Sequence, residues 1–320
     1  MANWGPDIWY TALDQSTIFH LNLMDGVRVA AVDTGNAVPW NIATNGRQVA
    51  WSELTARGGK QADWSVEIYD LASGKTTTVD GGPSHRSGNT WDSPVALAVD
   101  RSVVAYAIGA ATADKPDASH VIVRSIDSGS VLTEFDTDLL VYDIGVSGND
   151  VAYSEGSVTS GQFQLLTDSH LMLKRADDAS PIKLADNTFQ VSFDGNRVVW
   201  VQGPPDAEVG PATAEEVKRV ELPSLQPIDL SRSADDPSVD SAFVPTAAEG
   251  YAAWTEASDQ MQRLIVWDSR TGASRDVADA EVTFYPSIGD GWLVWQAYAD
   301  VRAGYESGGM FGLDLSLLGR

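Results

Sequence analysis

The 320-residue chain has no cysteine, which excludes both disulfide cross-links and thiol chemistry. It is short of positive charge: 21 Lys and Arg stand against 45 Asp and Glu, a formal net charge of −24. A surface of that sign repels phosphate backbones and anionic headgroups, so nucleic acid and anionic lipid are not expected partners. Cationic ligands and basic proteins remain compatible with it. No run approaches the ~18 apolar residues of a membrane span, so no membrane insertion is expected. Met1 to Pro6 shows no basic stretch followed by an apolar one, and no signal peptide is visible. Histidine is scarce: His20, His85, His120 and His170 are scattered, with no two at metal-ligand spacing. The acidic pairs Asp177-Asp178 and Asp235-Asp236 lack the spacing of an EF-hand. A Gly-x-Ser-x-Gly nucleophile elbow is absent. No metal and no cofactor are expected, and the balance leans away from an enzyme.

A long helical period is missing too, and what the chain has instead is a repeat. Short apolar runs ending in an aromatic follow tight turns: Val49-Ala50-Trp51, Val104-Ala105-Tyr106, Val151-Ala152-Tyr153, Val198-Val199-Trp200, Ala252-Ala253-Trp254 and Leu293-Val294-Trp295. Ile8-Trp9 reads as a weaker copy near the start. A period of this length with strand-like content is the mark of a β-propeller, in which each repeat is one four-stranded blade. Residues 38 to 80 read as one such blade. Val38-Pro39-Trp40-Asn41-Ile42-Ala43 leads to an Asn45-Gly46 turn, Gln48 to Ser52 returns, Ser65 to Leu71 follows a polar loop, and Ser73-Gly74 turns the chain into Lys75 to Val79. Asp70, Asp268 and Asp314 recur at one third-strand position, where a carboxylate can bond the backbone of the next turn.

Six innermost strands can be counted, near 38–43, 93–99, 140–146, 188–193, 243–248 and 284–288, against seven middle strands headed by Trp9 through Trp295. The expectation is a six-bladed all-β propeller in one domain, 1–320, its last blade completed by strands from both termini. Seven blades is the alternative. The pattern of turn, apolar pair, Trp, variable loop, and a strand ending in Asp before a Ser/Thr-Gly turn, clearest from Gly46 to Gly74 (Ile68-Tyr69-Asp70-Leu71-Ala72-Ser73-Gly74) and echoed in Ile265-Val266-Trp267-Asp268 before Thr271-Gly272, resembles the TolB-like propellers of bacterial and archaeal envelope proteins. The resemblance implies an extracytoplasmic propeller that binds other macromolecules, with no catalytic residues to carry over.

In a meander blade the loops between second and third strands share a face with the links between blades. Here those loops are the long ones (Thr55–Asp63, Ile108–Ser119, Glu155–Ser169, Gly203–Glu216, Ala299–Gly309), whereas the tight Gly turns take the opposite face. Aligned backward from the turns, the inner strands place Asn41, Pro94, Asp143, Gln190, Pro245 and Pro286 in one column, and Trp40, Ser93, Tyr142, Phe189, Val244 and Tyr285 in the column before it. Aromatic walls with a few polar groups suit a ligand-binding mouth, or else packing between blades. From these the candidate ligand-binding residues are Asn41, Tyr142, Asp143, Gln190, Trp40 and Tyr285. The expected function is a monomeric, non-enzymatic interaction module that binds a protein or peptide on the long-loop face. The alternative is a carbohydrate-binding or carbohydrate-active propeller, for which Asp143 would need a second acid nearby. Without a hydrolase domain, a propeller-capped peptidase is not expected.

Overall fold

A computed structural model describes all residues except 12–15, 59–60, 88–89, 92–93, 111, 113, 116, 159–165, 205–215, 233–238, 259–260, 281–283, 298–308 and 320. The chain forms seven antiparallel sheets in strict meander order, each consecutive in sequence. They are blades 1 to 7, spanning 2–33, 38–91, 94–137, 140–186, 188–229, 241–280 and 284–314. Blade 2 carries a short extra strand, Thr90–Trp91, and blade 7 shows three strands among the described residues. No helix among the described residues is long and apolar enough to cross a membrane.

The ring therefore has seven blades, not six. The inner strand of blade 1 is Ala2–Trp4, three residues without the length or alternation that marks the other inner strands, so the pattern hides it. A second expectation falls with the first: among the described residues no blade mixes the two ends of the chain. Blade 1 is built from Ala2–Trp4, Asp7–Thr11, Thr17–Asn22 and Arg28–Asp33, and blade 7 from Phe284–Gly289, Trp292–Ala297 and Gly309–Asp314.

Alternation along the second strand explains how the blades lock together, because successive side chains point to opposite faces. In blade 2, Val49 and Trp51 pack onto Trp9 and Ile18 of blade 1, whereas Ala50 between them packs forward with Val104 and Tyr106 of blade 3. The scheme repeats around the ring, giving one apolar cluster at each of six joints, from 1–2 to 6–7. Trp51, Tyr106, Tyr153, Trp200 and Trp254 are fully buried in this way. Burying an indole leaves its N–H to be satisfied, and the residue two positions on does so: Trp51 donates to Glu53 at 2.9 Å, Trp200 to Gln202 at 3.2 Å and Trp254 to Glu256 at 3.0 Å.

The joint between blades 7 and 1 is different. Among the described residues no buried apolar cluster spans it. Trp9 packs forward onto blade 2, not backward as the other anchors do, and the backward-facing place falls to the half-buried Tyr10. That ring stacks on Phe19 at 5.7 Å, with the Arg28 guanidinium 3.9 Å from the Phe19 centroid. Across this joint Gly5 N–H donates to the Gly289 carbonyl at 3.0 Å and Asn3 Nδ2 to the Trp292 carbonyl at 3.4 Å, while Leu23 lies against Gly312. Gly289 is pressed so closely on blade 1 that an added Cβ would sit 2.4 Å from the Asn3 carbonyl oxygen.

Candidate functional site: the central channel

Inner strands line the channel, and five of them are irregular at the same level. Ladder register shifts between Trp40 and Ala43, Pro94 and Ala96, Val141 and Asp143, Thr188 and Val191, and Phe243 and Thr246. These are β-bulges, which bend a strand and free backbone groups from the ladder. Asn41 and Val244 adopt positive φ there, 48° and 55°. The freed N–H groups find partners across the joints. Asp143 of blade 4 accepts from Val191 of blade 5 at 2.9 Å, and Gln190 of blade 5 accepts from Val244 of blade 6 at 2.8 Å.

Toward the tight-turn face a second tier of contacts holds neighbouring blades. Asn45 donates to the Arg101 carbonyl at 2.6 Å, Asp100 accepts from Gly148 N–H at 2.8 Å, and Ser192 accepts from Ala247 N–H at 2.8 Å. Glu249 accepts from the amides of Asp290 and Gly291 at 3.1 and 2.8 Å. Between blades 1 and 2, Trp4 lies flat against Gly46, where a Cβ would fall 2.3 Å from the indole. Between bulges and turns lies a cavity of about 1140 Å³, walled by the inner strands of all seven blades.

Of the six residues singled out from sequence, only Asp143 lines this cavity. Its carboxylate takes one N–H on each oxygen, Ile144 on Oδ1 and Val191 on Oδ2, both at 2.9 Å. It lies deep in the wall and is reached by solvent only in part. Burial pushes its pKa up to about 6, and the two amide hydrogen bonds pull the other way. Tyr142, the bulged residue before it, is half-buried and packs on Phe189 at 4.9 Å. Burial raises its phenol pKa, with the Asp143 charge second. Gln190 is committed to Val244, and the exposed Asn41 reaches only Ser52 Oγ, at 3.5 Å. Trp40 and Tyr285 are 54% and 46% exposed, on blades 2 and 7, flanking blade 1. Tyr142 and Asp143 thus meet blade 5 at Phe189 and Val191, Gln190 meets blade 6 at Val244, and Trp40 and Tyr285 lie on other blades. Sequence reading missed Asn45, Ser192 and Glu249, whose partners lie in the next blade and leave no local signal.

Among the described residues no group of three or more His, Asp or Glu is arranged to hold a metal ion. Ser93 of the aligned columns, most of the Gly203–Glu216 and Ala299–Gly309 loops, and Asp235-Asp236 lie outside the described residues.

No protein-family model matches the chain, and no curated protein matches it. Solved structures do resemble it. The β-propeller domain of the Trilobed protease from Pyrococcus furiosus, described as having an open velcro topology, gives a TM-score of 0.63 at 14% identity, over 98% of this chain and 91% of that one. A prolyl endopeptidase gives 0.61 at 14% identity, over 98% of this chain and 46% of that one. The acylaminoacyl peptidase of Pyrococcus horikoshii gives 0.59 at 16% identity, over 91% and 46%. The chain spans less than half the length of these last two. At such identities the likeness establishes the fold. It also runs against the expected stand-alone interaction module capturing a protein or peptide on the long-loop face, because these neighbours are propellers that belong to peptidases. That expectation is withdrawn. An oligogalacturonate lyase from Vibrio parahaemolyticus is similar too, with a TM-score of 0.56 at 10% identity over 97% of this chain and 86% of that one.

Proposed function

We propose that this chain is a peptidase-associated propeller: a ring without a hydrolytic centre of its own that works with a peptidase catalytic unit, on the same polypeptide or another. The observation that carries this reading is the match of nearly the whole ring to the propeller domain of the Trilobed protease, over 98% of this chain and 91% of that one. The joint between blades 7 and 1 supports it, because among the described residues no shared sheet closes the ring there, in keeping with the open velcro description of that neighbour. The missing Gly-x-Ser-x-Gly elbow supports the division of labour. In this reading residues 1–320 act as one domain, and the Ile68-Tyr69-Asp70-Leu71 strand of blade 2 with its Ser73-Gly74 turn supports a kinship with the TolB-like propellers. Asp143, Trp40 and Tyr285 stay as candidate contact residues, the first in the cavity wall and the others exposed.

The test is retention of activity. Immobilised chain is exposed to extract of the native organism, washed, and assayed with a quenched fluorescent peptide library. Hydrolysis in the retained fraction, absent when a heat-unfolded chain is immobilised, is the expected result. A retained fraction that cleaves nothing, with activity recovered in the flow-through, would sink the reading for a catalytic unit on another polypeptide; for one on the same polypeptide, a native form of the protein that hydrolyses no peptide would sink it.

A further inference from the structure

Stapling the ring does not account for the charge on Asp143. The neighbouring joint performs the same task with a neutral group: Gln190 accepts the freed Val244 amide at 2.8 Å, as Asp143 accepts that of Val191 at 2.9 Å. The corresponding inner-strand positions elsewhere are Asn41, Pro94, Pro245 and Pro286, all neutral. An asparagine at 143 could still accept from Val191, giving up only the bond to the adjacent Ile144 amide because its NH2 cannot accept, and burying a charge with no counter-ion is costly. Burial indeed raises the carboxyl pKa to about 6, so it is largely ionised at neutral pH against that cost.

Among the described residues no Lys, Arg or His makes an ion pair with Asp143. Other charges in the cavity wall are occupied or distant in role. Asp100 is bonded to Gly148 N–H, Asp194 is paired with Arg197 at 3.1 Å, and Glu249 holds the Asp290–Gly291 turn. Arg101 is exposed at the turn face, and burial pulls the Met1 amine below its ordinary range. A carboxylate without a counter-ion, facing a cavity of about 1140 Å³, is the pattern of a binding pocket with one convergent polar group.

We infer that Asp143 anchors a site for a primary-ammonium ligand that enters the central cavity from the tight-turn face. A metal ion fits less well, because no second and third ligand converge among the described residues. A guanidinium fits less well too: each carboxylate oxygen already accepts an amide, so the free two-oxygen edge that a guanidinium fork uses is not on offer. An ammonium needs one strong acceptor and a few weaker ones, and Ser147, Thr246 and Ser287 line the same cavity. The inference stands apart from the peptidase reading, since it needs no catalytic unit.

Isothermal titration of the purified chain tests it, with spermidine as a free polyamine, trialanine as a peptide amino terminus, and N-acetyl-trialanine as the blocked control. Wild type is expected to bind spermidine, trialanine or both, and which one binds identifies the source of the amine. Asp143→Asn should weaken that binding by about tenfold or more, the scale of a lost charge-assisted hydrogen bond, while its circular dichroism stays native. Asp25→Asn, in an exposed turn, should bind as wild type. The inference is overturned if wild type binds none of the amines, if the acetylated peptide binds as well as the free one, or if Asp143→Asn binds unchanged. Equal loss in Asp25→Asn would also overturn it, because the attraction would then be that of the acidic surface as a whole.

Discussion

Asp143 shows how much one side chain can be at odds with the scaffold around it. Its folded pKa of about 6 lies above the ordinary 3.8. The native state therefore holds a proton that the unfolded chain has released between those values, and stability falls as pH rises through that window, levelling off above it. Asp143→Asn should abolish this slope, while losing one of the two amide bonds that the carboxylate accepts. Urea melts of both proteins from pH 4.5 to 8 would check it, and a variant that keeps the wild-type slope would contradict it. Trp254 is the opposite case, a ring in full agreement with its surroundings. Trp254→Ala should cost about 3–5 kcal/mol, and it also leaves Glu256 without the indole N–H. Equilibrium unfolding measures that loss.

At the scale of elements, bulges and turns carry the joints. Gln190→Leu strands the Val244 amide at the 5–6 joint and should cost about 1–3 kcal/mol, read from the same urea melts. Gly289→Ala acts elsewhere, forcing a methyl against the Asn3 carbonyl. Hydrogen exchange should then quicken in Ala2–Trp4 and Phe284–Gly289 while blades 3 to 5 keep wild-type protection; a uniform change around the ring would contradict a local joint. The recurrent aspartates were legible beforehand. Asp70, Asp268 and Asp314 accept from the turn amides of Ser73, Arg270 and Ser316 at 2.8 to 2.9 Å, because that bond reaches only two or three residues along the chain. The bulge partners were not legible, because each lies about fifty residues away on another blade.

The whole molecule is a ring with six joints filled by buried apolar clusters and a seventh where none is seen among the described residues, carrying a net charge of −24. Self-repulsion of that size opposes compaction and is screened by salt. The melting temperature should rise between about 10 mM and 500 mM sodium chloride, where the Debye length shortens from roughly 30 to about 4 Å. Differential scanning fluorimetry would show it, and a flat response would mean that the acids are already neutralised locally.

Sequence alone determined the class of fold and the place of each anchor from Trp51 to Trp254, because alternation and tight turns are short-range rules written in every repeat. It pointed to six blades because a three-residue inner strand carries no period to read. Tertiary structure decided the seventh blade, the unshared ends and the role of the channel residues. Those depend on which backbone amides the bulges release and what stands across the next joint, and no stretch of chain encodes its neighbour in the ring.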